Sequence, residues 1–248
     1  MMMAVHTPDG IDGNSGSLVQ RAIQAVSEHI EHQGLHVGDT LPGEAHFAQL
    51  LGVSRAVMRE AFGALAALRR IDVGNGRKPR VAAIDGTVIA SSLQHAVTTE
   101  QISVPEIWDV RRTIELRTAT LAATQRTAVE ASSILTLAEA MAEDLDDFDR
   151  MTRHDIAFHN EIARASHNLL FVQIVASFGP LMEVAVPTAW RTRRTDAERR
   201  TMIDRHLELA RAIGAGDPVA AANAMGAHFD SSIGNILNAK WSVHGDDR

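Results

Sequence analysis

From about residue 84 onward the chain is one amphipathic segment after another: apolar residues recur every three or four positions, and runs with strand character are scarce. That spacing gathers the apolar side chains on one face of an α-helix. Consecutive helices with apolar stripes can bury them only against one another. The segments fall near residues 103–127, 130–146, 150–166, 168–186, 196–214 and 217–240, with a short helix at 86–96. Pro180 and Pro187 should kink or end the fourth, and Gly214 to Pro218 supply the turn before the last. The pattern predicts an antiparallel all-α bundle over about residues 103–241, joined to what precedes it by a linker with a short helix at 82–102.

A chain of 248 residues can bury one large core or two modest ones. No uninterrupted apolar run of about 18 residues occurs, so no membrane span is expected. Residues 1–16, rich in Gly, Asp, Asn and Ser, lack the basic and apolar stretches of a secretory signal and are expected to form a disordered leader. Residues 242–248 read as a frayed tail. A cytoplasmic location follows as the expectation. The absence of cysteine excludes disulfides and thiolate ligands, so any bound metal must be held by nitrogen and oxygen.

Residues 17–81 have a different grammar, which makes the whole chain mainly α with one small hairpin. Leu18, Ala22, Ala25, Val26 and Ile30 keep a helical period, with Ser17 placed as N-cap and Gly34 as stop. VGDTLP breaks the pattern as a turn. A short helix follows in GEAHFAQLLG, where Phe47, Leu50 and Leu51 share a face and Gly52 ends it. Ser54 is placed to cap the next helix, RAVMREAFGALAALRR, whose expected buried stripe is Val57, Ala61, Leu65 and Leu68. Three helices with a tight glycine turn between the last two form a helix-turn-helix, and IDVGNGRKPRVAAI after them reads as a β-hairpin.

Charge singles out the same region. The chain carries a net charge of -7, yet residues 54–80 hold seven basic residues against two acidic ones. Arg55 and Arg59 lie four apart, opposite the apolar stripe, where both guanidinium groups can meet guanine edges or phosphates of a duplex. Arg77, Lys78 and Arg80 in the hairpin suit the adjoining backbone. Arg69 and Arg70 close the helix, where they complement its C-terminal dipole.

The stretch LPGEAHFAQLLGVSRAVMREAFGAL resembles the winged helix of GntR-type bacterial transcription regulators, in which a leucine-proline turn leads to the second helix and a V-S-R segment opens the recognition helix. The resemblance implies that Ser54, Arg55 and Arg59 face double-stranded DNA, with Arg77, Lys78 and Arg80 on the wing. Two positions depart from the family pattern. Ala45 stands where an arginine often follows the glutamate of the second helix, and Arg69 stands where a glycine commonly separates recognition helix from wing.

In the second half, Asp155 and His159 are spaced to project from one helix face about a turn apart, while His206 and His228 lie in separate helical segments. Three imidazoles and a carboxylate suit zinc first, with nickel, manganese or iron also compatible, and suit calcium poorly. Among twelve histidines, spacing alone leaves both a metal cluster and an accidental one open. The blocks VRRTIELRTATLAA, DIAFHNEIARASHN and HLELARAIGAGDPVAAANAMGAHF are similar, in order, to the FCD domain of the FadR subfamily. That resemblance implies that Asp155, His159, His206 and His228 hold a divalent metal ion and that Arg111 and Asn168 contact an effector. For Arg111 a surface pair with Glu115 is the competing reading, and for Asn168 a helix cap. His29, His154 and His167 match no ligand position.

The expectation is therefore a transcription regulator, a repressor, acting as a homodimer on a near-palindromic operator and controlled by a small carboxylate effector. Two alternatives remain at this stage: a metal-dependent hydrolase or lyase acting on an organic acid, and a regulator whose metal is purely structural. The enzyme lacks a general base at a fixed offset from the ligands, since Glu161 points elsewhere on its helix.

Overall fold

The computed structural model describes residues 13–74, 76–193 and 195–238, which form two compact units dividing at Val88 and Ile89. Most of the expected leader, the tail at 242–248 and Asn75 of the hairpin lie outside the described residues.

The first unit packs α1 (Gly13–His32), α2 (Glu44–Leu51) and α3 (Arg55–Ala67) beside a hairpin of β1 (Ile71–Asp72) and β2 (Arg80–Val81). Ser17 lies inside α1 instead of capping it, because the helix extends upstream to Gly13; adding a turn to an existing helix gains a bond per residue without a new nucleation cost. Ser54 caps α3, its hydroxyl accepting from the Val57 amide. Gly52 ends α2 in the left-handed conformation at φ 65°.

The buried stripe of α3 is Met58, Ala61, Phe62 and Leu65, one position off the expected Val57 and Leu68. Leu68 is 53% exposed because α3 stops at Ala67. On α2, Phe47 and Ala48 turn inward and Leu50 is 64% exposed, since the core beneath that short helix admits a single face. Val19, Ala22 and Val26 of α1, with Leu41 and Ile71, complete this core.

The antiparallel hairpin pairs Ile71 with Val81 and Asp72 with Arg80. VGDTLP, expected only as a turn, also lies along β2: the Gly38 amide donates to the Val81 carbonyl, the Val81 amide to the Asp39 carbonyl, and the Leu41 amide to the Pro79 carbonyl. These bonds satisfy the outer edge of a two-residue strand and fix the wing to the turn before α2.

In the second unit α4 (Thr87–Thr98) leads to α5 (Val104–Gln125), α6 (Ala128–Glu143), α7 (Phe148–Ala165), α8 (Leu169–Ser177), α9 (Gly179–Thr192), α10 (Asp196–Ala215) and α11 (Pro218–Asn238). Reciprocal capping boxes start three of them: Ser103 with Glu106 for α5, Thr127 with Glu130 for α6, and Thr195 with Glu198 for α10. Ala119, Ala122 and Ala123 on α5 are fully buried; their small side chains let α5 lie close against α7, α10 and α11. The expected single helix at 168–186 is two helices, bent by 54° at Phe178. Pro180 sits in the first turn of α9, where its missing N–H is no loss, and Pro187 lies inside α9 without ending it. Among the described residues no single helix is long and apolar enough to cross a membrane.

Candidate metal centre and nucleic-acid face

Asp155 and His159 project from one face of α7 into the centre of the second unit, where α10 brings His206 and α11 brings His228. All four are buried. Ligand nitrogens of the three histidines lie within 4.8 Å of one another, and Asp155 Oδ1 is 3.2 Å from His206 Nε2. Phe158 and Phe229 stand edge-on to the rings, with centroids 5.2 Å from His206 and 5.4 Å from His228 respectively. The polar cluster is thus walled by aromatic carbon.

Two contacts orient the imidazoles. His206 Nδ1–H donates to the Met202 carbonyl at 2.8 Å, one turn back on α10, which leaves Nε2 for the Asp155 side. His159 Nδ1 is hydrogen-bonded to Glu115 Oε2 on α5. Glu115 Oε1 in turn accepts from Arg111 Nε at 2.7 Å. The charges follow from these neighbours. Burial disfavours the ionised forms of Asp155 and Glu115, but it is outweighed, for Asp155 by the His206 hydrogen bond and the adjacent imidazoles, and for Glu115 by Arg111 and His159. Both carboxyls are held below their usual range. Burial, with His206 and His159 nearby, pushes His228 well down and keeps it neutral, the form in which an imidazole ligates a metal.

Nitrogens on one tetrahedral zinc ion at about 2.1 Å lie about 3.4 Å apart. The histidine nitrogens, all within 4.8 Å of one another, need close by no more than about 1.4 Å per pair, which rotations of the side chains supply. The donor set, its depth and the orientation fixed at His159 and His206 fit a divalent ion.

The ligand cluster borders a narrow cavity of about 20 Å³, room for one or two waters, lined among others by Trp108, Arg111, Asp155, His159, Trp190 and Arg193. Arg111 is therefore inside the cavity, and its pair with Glu115 is buried there instead of lying on a surface. Its guanidinium also contacts Met182 Sδ and lies 5.0 Å from the Trp108 ring centroid. Asn168 is elsewhere: it caps α8, accepting from the Leu170 and Phe171 amides, and lines a separate surface hollow with Arg117 and His167. The effector contact expected of it is not formed in this cavity because the α7–α8 turn leaves it outside the bundle. His154 pairs with Asp144 and His167 with Glu130, while Glu161 pairs with Arg164.

Two residues at the site escape sequence reasoning. Glu115 is 44 residues from His159, so no local spacing links them. Arg193 is only 4% exposed and turns inward at the end of α9; the basic run around it, RTRR, reads in sequence either as an anion-attracting patch or, with preference, as a solvated helix end. Both oxygens of Glu115 are engaged, so it is poorly placed to act as a general base.

In the first unit Ser54, Arg55 and Arg59 are exposed at the start of α3, and Arg59 has only a loose contact of 3.9 Å with Glu44. Arg77 and Lys78 are exposed on the wing. Arg80 is engaged, donating to the Gly38 carbonyl at 2.6 Å, which ties the wing to the turn before α2. Arg69 adopts φ 55°, the left-handed conformation that glycine accepts without strain, and pairs with Asp85 at 2.9 Å. It closes α3 through this backbone turn, and its side chain goes to Asp85 instead of the last carbonyls of the helix.

Comparison with known proteins agrees with the two-unit division. Residues 18–80 match the family model for bacterial regulatory proteins of the gntR family, and residues 106–231 match the FCD domain. The Glc operon transcriptional activator of Escherichia coli (strain K12) is 30% identical over 216 residues, covering 85% of each chain. A putative L-lactate dehydrogenase operon regulatory protein of the same organism is 29% identical over 205 residues, covering 81% of this chain and 79% of its own. Among solved structures, Streptococcus agalactiae GntR has the same fold, with a TM-score of 0.62 at 21% identity over 86% of this chain and 97% of that one.

Proposed function

The chain belongs to the GntR family of bacterial regulatory proteins, with an FCD domain in its second unit, and from that premise we propose that a small carboxylate bound beside Asp155, His159, His206 and His228 controls its hold on DNA. It is a DNA-binding transcription regulator and not an enzyme. The observation that carries the proposal is the coincidence, in one buried cavity, of a metal-type donor set with the guanidinium group of Arg111. A divalent ion there, zinc first by its donor set, supplies an electrophilic anchor for an acid's oxygens. Arg111 orients the carboxylate through the guanidinium donors that Glu115 does not use, and the aromatic walls exclude water so that this pairing is strong. The name of the L-lactate dehydrogenase operon relative, which points to a hydroxy acid, agrees with a ligand of this class.

A cavity of about 20 Å³ cannot take even a small acid without movement of its walls. Binding therefore draws on a difference between two arrangements of the helices, and about 5.5 kcal/mol of differential affinity carries a switch from 1:99 to 99:1. The protein acts in the cytoplasm as a homodimer, whose two α3 helices and wings read a near-palindromic operator, with Arg55 and Arg59 toward base edges or phosphates. Operator occupancy represses, and the acid relieves it.

Gel shifts of a fragment from upstream of the protein's own gene, with a panel of small carboxylates, test this. The wild type should respond to an acid and His206→Ala should bind the fragment with no response. A His206→Ala protein that melts lower yet keeps the response would make the ion structural and overturn the reading. Release of DNA by the acid marks a repressor, and tighter binding an activator of the kind the Glc operon relative is named for.

A further inference from the structure

The two guanidinium groups lining the cavity are not equivalent. Arg111 is neutralised within its own helix by Glu115 at 2.7 Å. Arg193, at the end of α9, has no carboxylate of the described residues within 4.0 Å. Among the described residues its polar contact is one hydrogen bond, from Nη1 to the Ala189 carbonyl at 3.0 Å, and its guanidinium carbon lies 5.0 Å from the Trp190 ring centroid. At 4% exposure this is a charge removed from water with a single backbone oxygen and an indole in return. Such a group is costly to bury unless an anion joins it. Burial depresses the Arg193 guanidinium, while the more distant carboxylates of Asp155 and Glu198 oppose that effect.

Formal charge leads to the same place. Two carboxylates, Asp155 and Glu115, stand against two guanidinium groups, Arg111 and Arg193, around imidazoles that ligate a metal in their neutral form. A divalent ion held by the cluster leaves the cavity with a surplus of two positive charges. One carboxylate from an effector cancels half of it.

We propose that Arg193 is a specificity-determining residue that receives a second anionic group, so that the effector is a small dicarboxylate and not a monocarboxylate. The proposal rests on the reading of the cavity as a carboxylate site. One end of the acid lies at the histidine cluster beside Arg111 and the other reaches Arg193. Guanidinium pairs carboxylate through two parallel N–H donors, and Trp190 holds the group in plane against its ring. A dicarboxylate seated this way ties α9, whose C-cap is Arg193, to α7, α10 and α11, which carry the cluster.

Isothermal titration calorimetry of the zinc-loaded full chain tests it with matched pairs: malonate against propionate, succinate against butyrate, and glutarate against valerate. At least one diacid should bind about tenfold or more tightly than its monoacid partner. Arg193→Met keeps the length and the contact with Trp190 without the charge; it should remove that preference while leaving monoacid affinity and zinc content nearly unchanged, with the acid-free protein melting no lower than wild type. Arg193→Lys should restore part of the preference. Wild-type protein that binds monoacids as tightly as every diacid, or Arg193→Met protein that retains the diacid preference, overturns the proposal while leaving the carboxylate site standing. Absence of binding by every acid in the wild type overturns the carboxylate site itself, and this inference with it. If Arg193→Met does not fold, the wild-type ratio and the Arg193→Lys variant still decide.

Discussion

Replacing Glu115 with Gln preserves shape and removes one charge from the centre of the second unit. Glu115 is fully buried, with Arg111 on one oxygen and His159 on the other. Its carboxyl is held below the usual range even though burial opposes ionisation, so the surroundings favour the charged form on balance. Removing one partner of a buried ion pair costs about 3–5 kcal/mol, and the hydrogen bonds that Gln can still make place this change near about 3 kcal/mol. In a protein of this length that corresponds to a fall in melting temperature of about 6–12 °C. The same change weakens the hold on the His159 ring, and losing such an orienting partner lowers metal affinity by about 10- to 100-fold. Thermal and urea denaturation of chelator-treated protein measures the first effect, and competition with a zinc-binding dye the second. A Glu115→Gln protein that melts within a degree of wild type and holds zinc equally well would refute the claim that Glu115 is the hub joining Arg111 to the cluster.

At the end of α3, Arg69→Gly should be more stable than Arg69→Ala by about 1 kcal/mol in urea denaturation. Both lose the Asp85 pair, and only glycine relieves the positive φ; equal stability would mean that the turn carries no strain. On the DNA face, Arg55→Ala should cost about 1–3 kcal/mol of operator affinity. Lys78→Ala should weaken binding evenly across sequences and reduce the salt slope by about one. Unchanged binding by both in salt-matched gel shifts would place DNA on another surface.

Helix periodicity made the bundle legible, because apolar residues at three and four positions apart have no other stable arrangement. Ser54 was legible as a cap since that job belongs to a single residue at a helix start. The buried stripe of α3 was legible only to within one position; Met58 and Phe62 displace Val57 and Leu68 because the core lies to one side of the pattern's centre. A kink at Pro180 was legible, and the chain does bend beside it, at Phe178; that Pro187 leaves α9 unbroken was not legible, because a proline inside a helix ordinarily kinks or ends it. In the site, Asp155 and His159 follow from spacing along α7, whereas His206 and His228 came from family resemblance and meet the first pair through tertiary packing. Arg111 read equally well as surface pair or pocket residue, and it is both paired and inside the cavity. Glu115 and Arg193 owe their roles to what lies opposite them on other helices, which no local pattern records.

The central claim is that the buried cluster is a metal-held sensor. A crystal structure of the protein as purified, with anomalous diffraction recorded on both sides of the zinc, nickel, iron and manganese edges, tests it most directly. The account predicts one ion bonded to Asp155, His159, His206 and His228, with carboxylate density beside it reaching Arg111. An ordered second unit with these four side chains in place and no ion among them would contradict it.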